Sequence, residues 1–139
     1  MDTVDRFRDA AERRDLDAAA ALLAPGVRLY SPVKFTPFEG ADAVRGLLGV
    51  LMRTFEDFRY VGALEGEAEP VMEGTLTAAR ILIFRAVVGG KQIHGIDLFQ
   101  LDDQGRIAEL TVMVRPLSAV TALGEAVLAG LTADGVIPA

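Results

Sequence analysis

The order of hydrophobic and polar positions predicts helices in the first part of the chain. Near the N-terminus, apolar residues recur at intervals of three and four, and Asp2 or Thr3 can cap the first turn. A second helical stretch is predicted over residues 16–23, because the Pro-Gly pair at 25–26 stops it. A third helix is predicted over about 43–54, with its apolar residues on one face.

The middle of the chain has the two-residue period of strands. From Phe58 onward, apolar residues alternate with polar or small ones. Gly89-Gly90 predicts a tight hairpin turn, and residues 102–105 predict a four-residue loop in which Gly105 is left-handed. Pro116 ends the last strand, and an amphipathic helix follows. Three helices, an antiparallel meander and one helix predict an α+β fold.

These two turns also predict the strand register. The glycine turn places Leu82 opposite Asp97, and the four-residue loop places Leu110 opposite Asp97 from the other side. One face of the sheet then carries Leu82, Phe84, Ala86, Ile93, Gly95, Asp97, Phe99, Ala108, Leu110, Val112 and Val114. Asp97 is the only charged residue on this face.

An acid on an apolar strand face needs an explanation. Burial of an ionised carboxylate without partners costs several kcal/mol or more, so the group is paired, protonated or part of a binding cavity. In the functional interpretation, Asp97 is a pocket acid or base with a raised pKa. In the structural interpretation, it pairs with Arg80 or with a tyrosine. The sequence leaves both open.

The opposite face has the half-apolar composition of an oligomer interface. It mixes polar residues, among them His94, with Ile81, Ile83, Ile96, Leu98 and Met113. We therefore expect a homodimer that pairs through the sheet. His94 faces away from Asp97, so we expect it to be a surface or interface residue.

Composition narrows the possible partners and compartments. The length of 139 residues fits one domain spanning 1–139. The net charge of −6, without a cluster of basic residues, argues against nucleic acid. No apolar run approaches the ~20 residues that span a bilayer, so we expect no membrane partner and a cytoplasmic protein. Without Cys and with one His, Cys-based and His-rich metal sites are excluded, and no cofactor is expected.

Two segments resemble a known family. Phe38-Glu39-Gly40 enters the third helix, and IDLFQLDDQGRI at 96–107 spans the last predicted turn. Together with the order of elements, they resemble the nuclear-transport-factor-2-like (NTF2-like) superfamily, which includes ketosteroid isomerases, SnoaL-type polyketide cyclases and limonene epoxide hydrolases. The resemblance covers nearly the whole chain. It implies a cone in which a curved sheet and helices surround a pocket, usually in a dimer formed through the sheet.

The resemblance matches only some of the family's catalytic residues to residues of this chain. Asp97 matches the ketosteroid isomerase aspartate that stays protonated and donates a hydrogen bond to the dienolate oxyanion. Ser31 stands where the isomerase has its general-base aspartate, and Phe7 where it has its oxyanion tyrosine. Gly95 stands where the epoxide hydrolase has an arginine. The cyclase interpretation lacks the fewest of its expected residues, because in the cyclases an aspartate near the position of Asp97 acts as a base.

We therefore expect an apolar pocket that binds a hydrophobic small molecule of steroid or polyketide size. Asp97 is the candidate catalytic residue for proton transfer next to a carbonyl, and Lys34 and Arg80 are candidate anchors for an anionic group. The alternative is a non-catalytic ligand-binding or dimerisation module. The candidate ligand-binding residues are Tyr30, Ser31, Phe35, Phe38, Phe58, Leu82, Phe84, Phe99, Leu110, Val112 and Val114.

Overall fold

The computed structural model describes residues 1–72 and 74–136. In chain order, these contain α1 (Thr3–Glu12), α2 (Leu16–Ala20), β1 (Leu23–Tyr30), β2 (Phe38–Glu39), α3 (Ala41–Thr54), β3 (Glu56–Ala68), β4 (Thr77–Val88), β5 (Lys91–Leu101), β6 (Ile107–Arg115) and α4 (Leu117–Ala133). The strands form one curved, unclosed sheet in the order β2-β1-β6-β5-β4-β3. Only the β1–β6 pair is parallel. The predicted α+β class is confirmed.

One core lies between the inner face of the sheet and the helices. Phe7 of α1, Leu47 of α3 and Leu123 of α4 are each at most 3% exposed, and inner-face residues such as Phe99 are equally buried. The amphipathic pattern of the helices explains this placement, because each helix turns its apolar stripe toward the sheet. Asp2 caps α1, and its carboxylate accepts a hydrogen bond from the Asp5 amide at 2.9 Å.

The second helix is shorter than the sequence predicts. It ends at Ala20 rather than at residue 23, and β1 begins at Leu23. Leu23 pairs with Ile107 of β6 and is 6% exposed, so strand pairing and burial outweigh the local helical pattern. The exposed Pro-Gly pair at 25–26 lies inside β1, where the register with β6 shifts. Proline is tolerated at such an irregularity because no ladder hydrogen bond is lost.

The predicted strand register of the first hairpin is confirmed, and that of the second is wrong by two residues. Leu82 faces Asp97, and both glycines of the turn at 89–90 have positive φ. Across β5 and β6, however, Asp97 faces Val112 rather than Leu110. One residue of this shift arises at the turn, where Leu101 pairs with Ile107 rather than Arg106, and the other arises because Ala108 is an extra, bulged residue. A shift of two residues preserves side-chain parity. The inner face therefore keeps its predicted residues, except that Ile107 replaces Ala108.

The outer face of the sheet is largely as expected. Met113 is 52% exposed, and Ile81, Ile83, Ile96 and Leu98 are half-buried. His94 lies on this face between Arg85 and Arg115, as predicted. Pairing of this face with a second copy stays a prediction. Within the described residues, no helix has both the length and the apolar character needed to cross a membrane.

Gly95 is required by the close approach of an aromatic ring. It pairs with Phe84 across β4 and β5. A Cβ atom at this position would lie 2.5 Å from Cζ of Phe84 and 2.7 Å from the carbonyl oxygen of Met113. The missing side chain therefore lets the Phe84 ring lie close against β5, next to the aromatic residues around Tyr60.

We predict that Gly95→Ala destabilises the protein by about 1–3 kcal/mol, because an added methyl group overpacks the core. Gly66→Ala is the matched control, since Gly66 also lies in a strand and a Cβ there meets no atom within 4 Å. The control should change stability by about 0.5 kcal/mol or less. The free energy of unfolding from urea titration tests both, and an equal effect of the two substitutions would contradict the packing role of Gly95.

Candidate functional site

A mostly apolar cavity lies between the inner face of the sheet and the helices. Its volume is about 290 Å³, and its walls come from α1, β1, the loop before β2, α3, β3, β4, β5, β6 and α4. This volume is near the lower end of the range for small-molecule pockets, which favours a compact ligand. Asp97 is the only carboxyl group among the described lining residues.

The structure places about half of the predicted ligand-binding residues at the cavity. Those that line it are Ser31, Phe38, Phe58, Phe84, Leu110 and Val112. Those that do not are Tyr30, Phe35, Leu82, Phe99 and Val114.

The residues outside the lining have three different environments. Leu82 and Phe99 are buried in the core, and Val114 is half-buried beside Gly95. Phe35 is 82% exposed. Tyr30 is buried on the side of β1 opposite to Leu29, which does line the cavity, because neighbouring strand residues point to opposite faces.

Asp97 is buried and pairs with Tyr60. Its side chain projects from β5 into the cavity wall and is 7% exposed. The hydroxyl of Tyr60 donates a hydrogen bond to Oδ2 of Asp97 over 2.7 Å. Oδ1 has no hydrogen-bond partner among residues 1–72 and 74–136. That oxygen is therefore available to a molecule in the cavity.

Burial raises the pKa of Asp97 to about 7, because the charged carboxylate loses its hydration. The hydrogen bond from Tyr60 stabilises the charged form and opposes part of this rise. The pKa of Tyr60 is raised well above its usual value, first by burial and then by the nearby Asp97. Tyr60 therefore remains a hydrogen-bond donor, while Asp97 exchanges a proton near neutral pH.

The first helix holds Tyr60 in place. The Tyr60 amide donates to Oε2 of Glu12 at 3.2 Å, and the guanidinium of Arg8 lies 5.9 Å from the centre of the Tyr60 ring. On the other side, Phe58 packs edge-on against Tyr60, with the ring centres 4.9 Å apart. These contacts aim the hydroxyl at Asp97.

The other candidate partner of Asp97, Arg80, points elsewhere. Its guanidinium contacts Asp2 at 2.6 Å and Asp5 at 3.4 Å. The ion pairs tie β4 to the start of α1. Arg80 does not line the cavity, so it is not an anchor for a ligand held there, whereas Lys34 does line it.

Ser31 lines the cavity but also makes a turn contact. Its Oγ accepts a hydrogen bond from the Val33 amide at 3.3 Å. The hydroxyl proton remains available to a ligand, but a serine hydroxyl is not a general base at neutral pH. Phe7, which stands where the isomerase has a tyrosine, lines the cavity and packs against Phe99.

The specific pairing of Tyr60 with Asp97 and the contribution of Arg14 to the lining were not predicted. A buried tyrosine hydroxyl needs a hydrogen-bond partner, and Asp97 is a buried acceptor that the sequence places on the inner face, so the sequence contained a signal for this pairing. However, β3 contains two register shifts, so a simple two-residue period does not show on which face of the sheet Tyr60 lies. No sequence pattern indicated that Arg14 would line the cavity.

Among the described residues, no three His, Asp or Glu side chains are grouped so that they could hold a metal ion. The expectation of no cofactor stays a prediction.

Residues 4–110 match the SnoaL-like domain. The chain belongs to the SnoaL-like family. Comparison with functionally curated proteins gives no match.

Solved structures confirm the predicted NTF2-like fold. A steroid delta-isomerase from Pseudomonas aeruginosa is 34% identical, with a TM-score of 0.83 over 97% of this chain and 93% of that one. An uncharacterised protein with a cystatin-like fold from Silicibacter pomeroyi is 31% identical, with a TM-score of 0.83 over 96% and 87%. A SnoaL-like protein of unknown function from Burkholderia thailandensis, 17% identical with a TM-score of 0.62 over 81% and 92%, shares the fold alone.

The raised pKa of Asp97 predicts a pH dependence of stability. Between about pH 4 and 7 the folded protein keeps a proton that the unfolded chain releases, so stability falls as pH rises through this window. The loss is up to about 4 kcal/mol. Asp97→Asn removes the titrating group, so the variant should gain stability relative to the natural protein as pH rises.

Urea denaturation from pH 4.5 to 8.5 measures this difference. Asp103→Asn is the matched control, because it removes the same charge from an exposed turn and should leave the pH dependence unchanged. Parallel stability curves for Asp97→Asn and the natural protein would rule out a raised pKa.

Proposed function

We propose that the cavity binds a compact hydrophobic molecule with a carbonyl group, and that Asp97 transfers a proton at the carbon next to that carbonyl. The observation that carries this proposal is a lone buried carboxyl group, paired with Tyr60, in a mostly apolar cavity. A pKa of about 7 leaves both protonation states populated at neutral pH, as a general acid or base requires.

The two oxygens of Asp97 would have separate roles. Oδ2 accepts the hydrogen bond from Tyr60, which fixes the orientation of the carboxyl group. Oδ1 has no hydrogen-bond partner in the described part of the chain and would take the proton from the acidic carbon. The protonated carboxyl group would then return the proton to the same molecule, at the same or an adjacent position.

Exclusion of water supports this chemistry. Phe55, Phe58 and Phe84 pack with ring centres 5.3 to 5.7 Å apart beside Tyr60 and all line the cavity. An apolar wall strengthens the hydrogen bond between Tyr60 and Asp97 and keeps an enolate from competing protons. One similar structure belongs to a protein named as a steroid delta-isomerase, which agrees with proton transfer next to a carbonyl.

A non-catalytic binding protein is the second candidate. Ser31 favours it, because it stands where the resemblance to ketosteroid isomerases implies a general-base aspartate. With one carboxyl group, Asp97 would have to act alone. The two candidates share the ligand class and differ in whether bound ligand exchanges protons.

Solvent deuterium exchange into a bound ketone separates the candidates. Compact aromatic ketones, steroid enones and aromatic polyketides would first be screened for those that raise the melting temperature. These would then be incubated with the protein in D₂O and followed by NMR. We expect Asp97→Asn to lower the exchange rate by about 10²–10⁴-fold, because it removes the general base. Tyr60→Phe should lower it less while ligand binding persists.

Asp103→Asn serves as the control and should exchange at the natural rate. Binding without exchange would establish the non-catalytic candidate. Exchange that survives Asp97→Asn unaltered would remove Asp97 from the mechanism.

A further inference from the structure

Two basic side chains lie at the opening of the cavity. Arg14, between α1 and α2, and Lys34, in the loop before β2, both contribute to the lining. Both residues are also exposed to solvent, whereas Asp97 is buried. The cavity therefore has a positively charged opening and an interior whose only carboxyl group, among the described residues, is Asp97.

These two residues make no ion pair with the described part of the protein. Across residues 1–72 and 74–136, neither Arg14 nor Lys34 has a carboxylate oxygen within 4.0 Å. The arginines that do have one are Arg8, Arg13, Arg28, Arg45, Arg53, Arg80 and Arg106. With 20 acidic and 14 basic residues, the chain does not lack carboxylates that could pair with a cation. The two basic residues at the opening are therefore without an ion pair, although the protein as a whole is negative.

Arg14 is held in position by its own backbone and by a hydrogen bond. Its φ of 56° lies in the left-handed region, which is costly for a residue with a Cβ. Its guanidinium donates to the Phe55 carbonyl at 2.9 Å, and Phe55 lines the cavity. A guanidinium carries five N–H donors, so this bond leaves others available.

Lys34 is also placed beside the lining. Its Nζ lies 5.9 Å from the centre of the Phe38 ring, which is itself part of the cavity wall. The ammonium group keeps its hydrogen-bond donors at this distance. Arg14 and Lys34 therefore both border the same cavity and both keep hydrogen-bond donors for a bound molecule.

We propose that the ligand is an anionic amphiphile, with a compact apolar body in the cavity and a carboxylate at the opening, bound by Arg14 and Lys34. This inference rests on the proposed function, because it names the class of molecule that the cavity binds. The arrangement keeps the ligand's charge hydrated and away from Asp97. It also fixes the orientation, so that the end opposite the carboxylate reaches the Asp97–Tyr60 pair.

Matched acid and amide probes test the proposal on the full chain. The pairs are 2-naphthaleneacetate with 2-naphthaleneacetamide, and 4-phenylbutanoate with 4-phenylbutanamide, titrated at pH 7 by calorimetry. Each pair shares its apolar body and differs in charge. We expect the acids to bind about tenfold more tightly than the amides, because a charge-assisted hydrogen bond is stronger than a neutral one.

Variants of Arg14 and Lys34 then test whether these two cations cause the preference for acids over amides. Arg14→Gln combined with Lys34→Gln should remove the preference for acids, with a much larger loss of affinity for the acids than for the amides. Arg14→Lys should retain it, because the charge is kept. Lys91→Gln, in an exposed residue at the β4–β5 turn, is the control and should have no effect.

The outcomes distinguish a failure of this inference alone from a failure of the proposed function as well. Equal binding of acids and amides to the natural protein would overturn the inference and leave the hydrophobic ligand in place. An undiminished preference for acids in the double variant would also overturn it. Failure of all four probes to bind would contradict both the inference and the proposed function.

Discussion

The hydrogen bond between Tyr60 and Asp97 is the interaction on which the candidate site depends. A carboxyl group in a mostly apolar wall is costly when ionised, and the bond from the tyrosine hydroxyl compensates part of that cost without adding a charge. An arginine in the same place would have kept the carboxylate ionised and inert. Burial raises the pKa of Asp97 and Tyr60 limits the rise, so both protonation states are accessible near neutral pH.

The fold brings the two residues of this pair together from distant segments of the chain. Tyr60 comes from the edge strand β3, Asp97 from the central strand β5, and Glu12 and Arg8 of α1 hold the Tyr60 backbone and ring. Gly95 admits the Phe84 ring against β5, and that ring helps to exclude water. Around Asp97, the inner face of the sheet is therefore a packed aromatic wall that contains the polar Tyr60–Asp97 pair.

Much of this arrangement could be predicted from short-range signals. Period-two alternation and the glycine turn at 89–90 placed Asp97 on the inner face opposite Leu82, because a tight turn fixes the register. Features set by tertiary contacts could not be predicted. The bulge at Ala108 shifted the β5–β6 register, and strand pairing of Leu23 shortened α2. Arg14 lines the cavity from a left-handed backbone position at the end of α1 that no sequence pattern indicates.

The most direct test is a titration of the Asp97 carboxyl group itself. The protein would be labelled with ¹³C at aspartate carboxyl carbons, and the Asp97 resonance, assigned by its loss in Asp97→Asn, would be followed by NMR from pH 3 to 9. A midpoint of about 7 would show that the cavity holds a proton-exchanging acid. A midpoint near 3.8, the ordinary value for aspartate, would mean that the carboxylate is stabilised as an ion and would contradict the account.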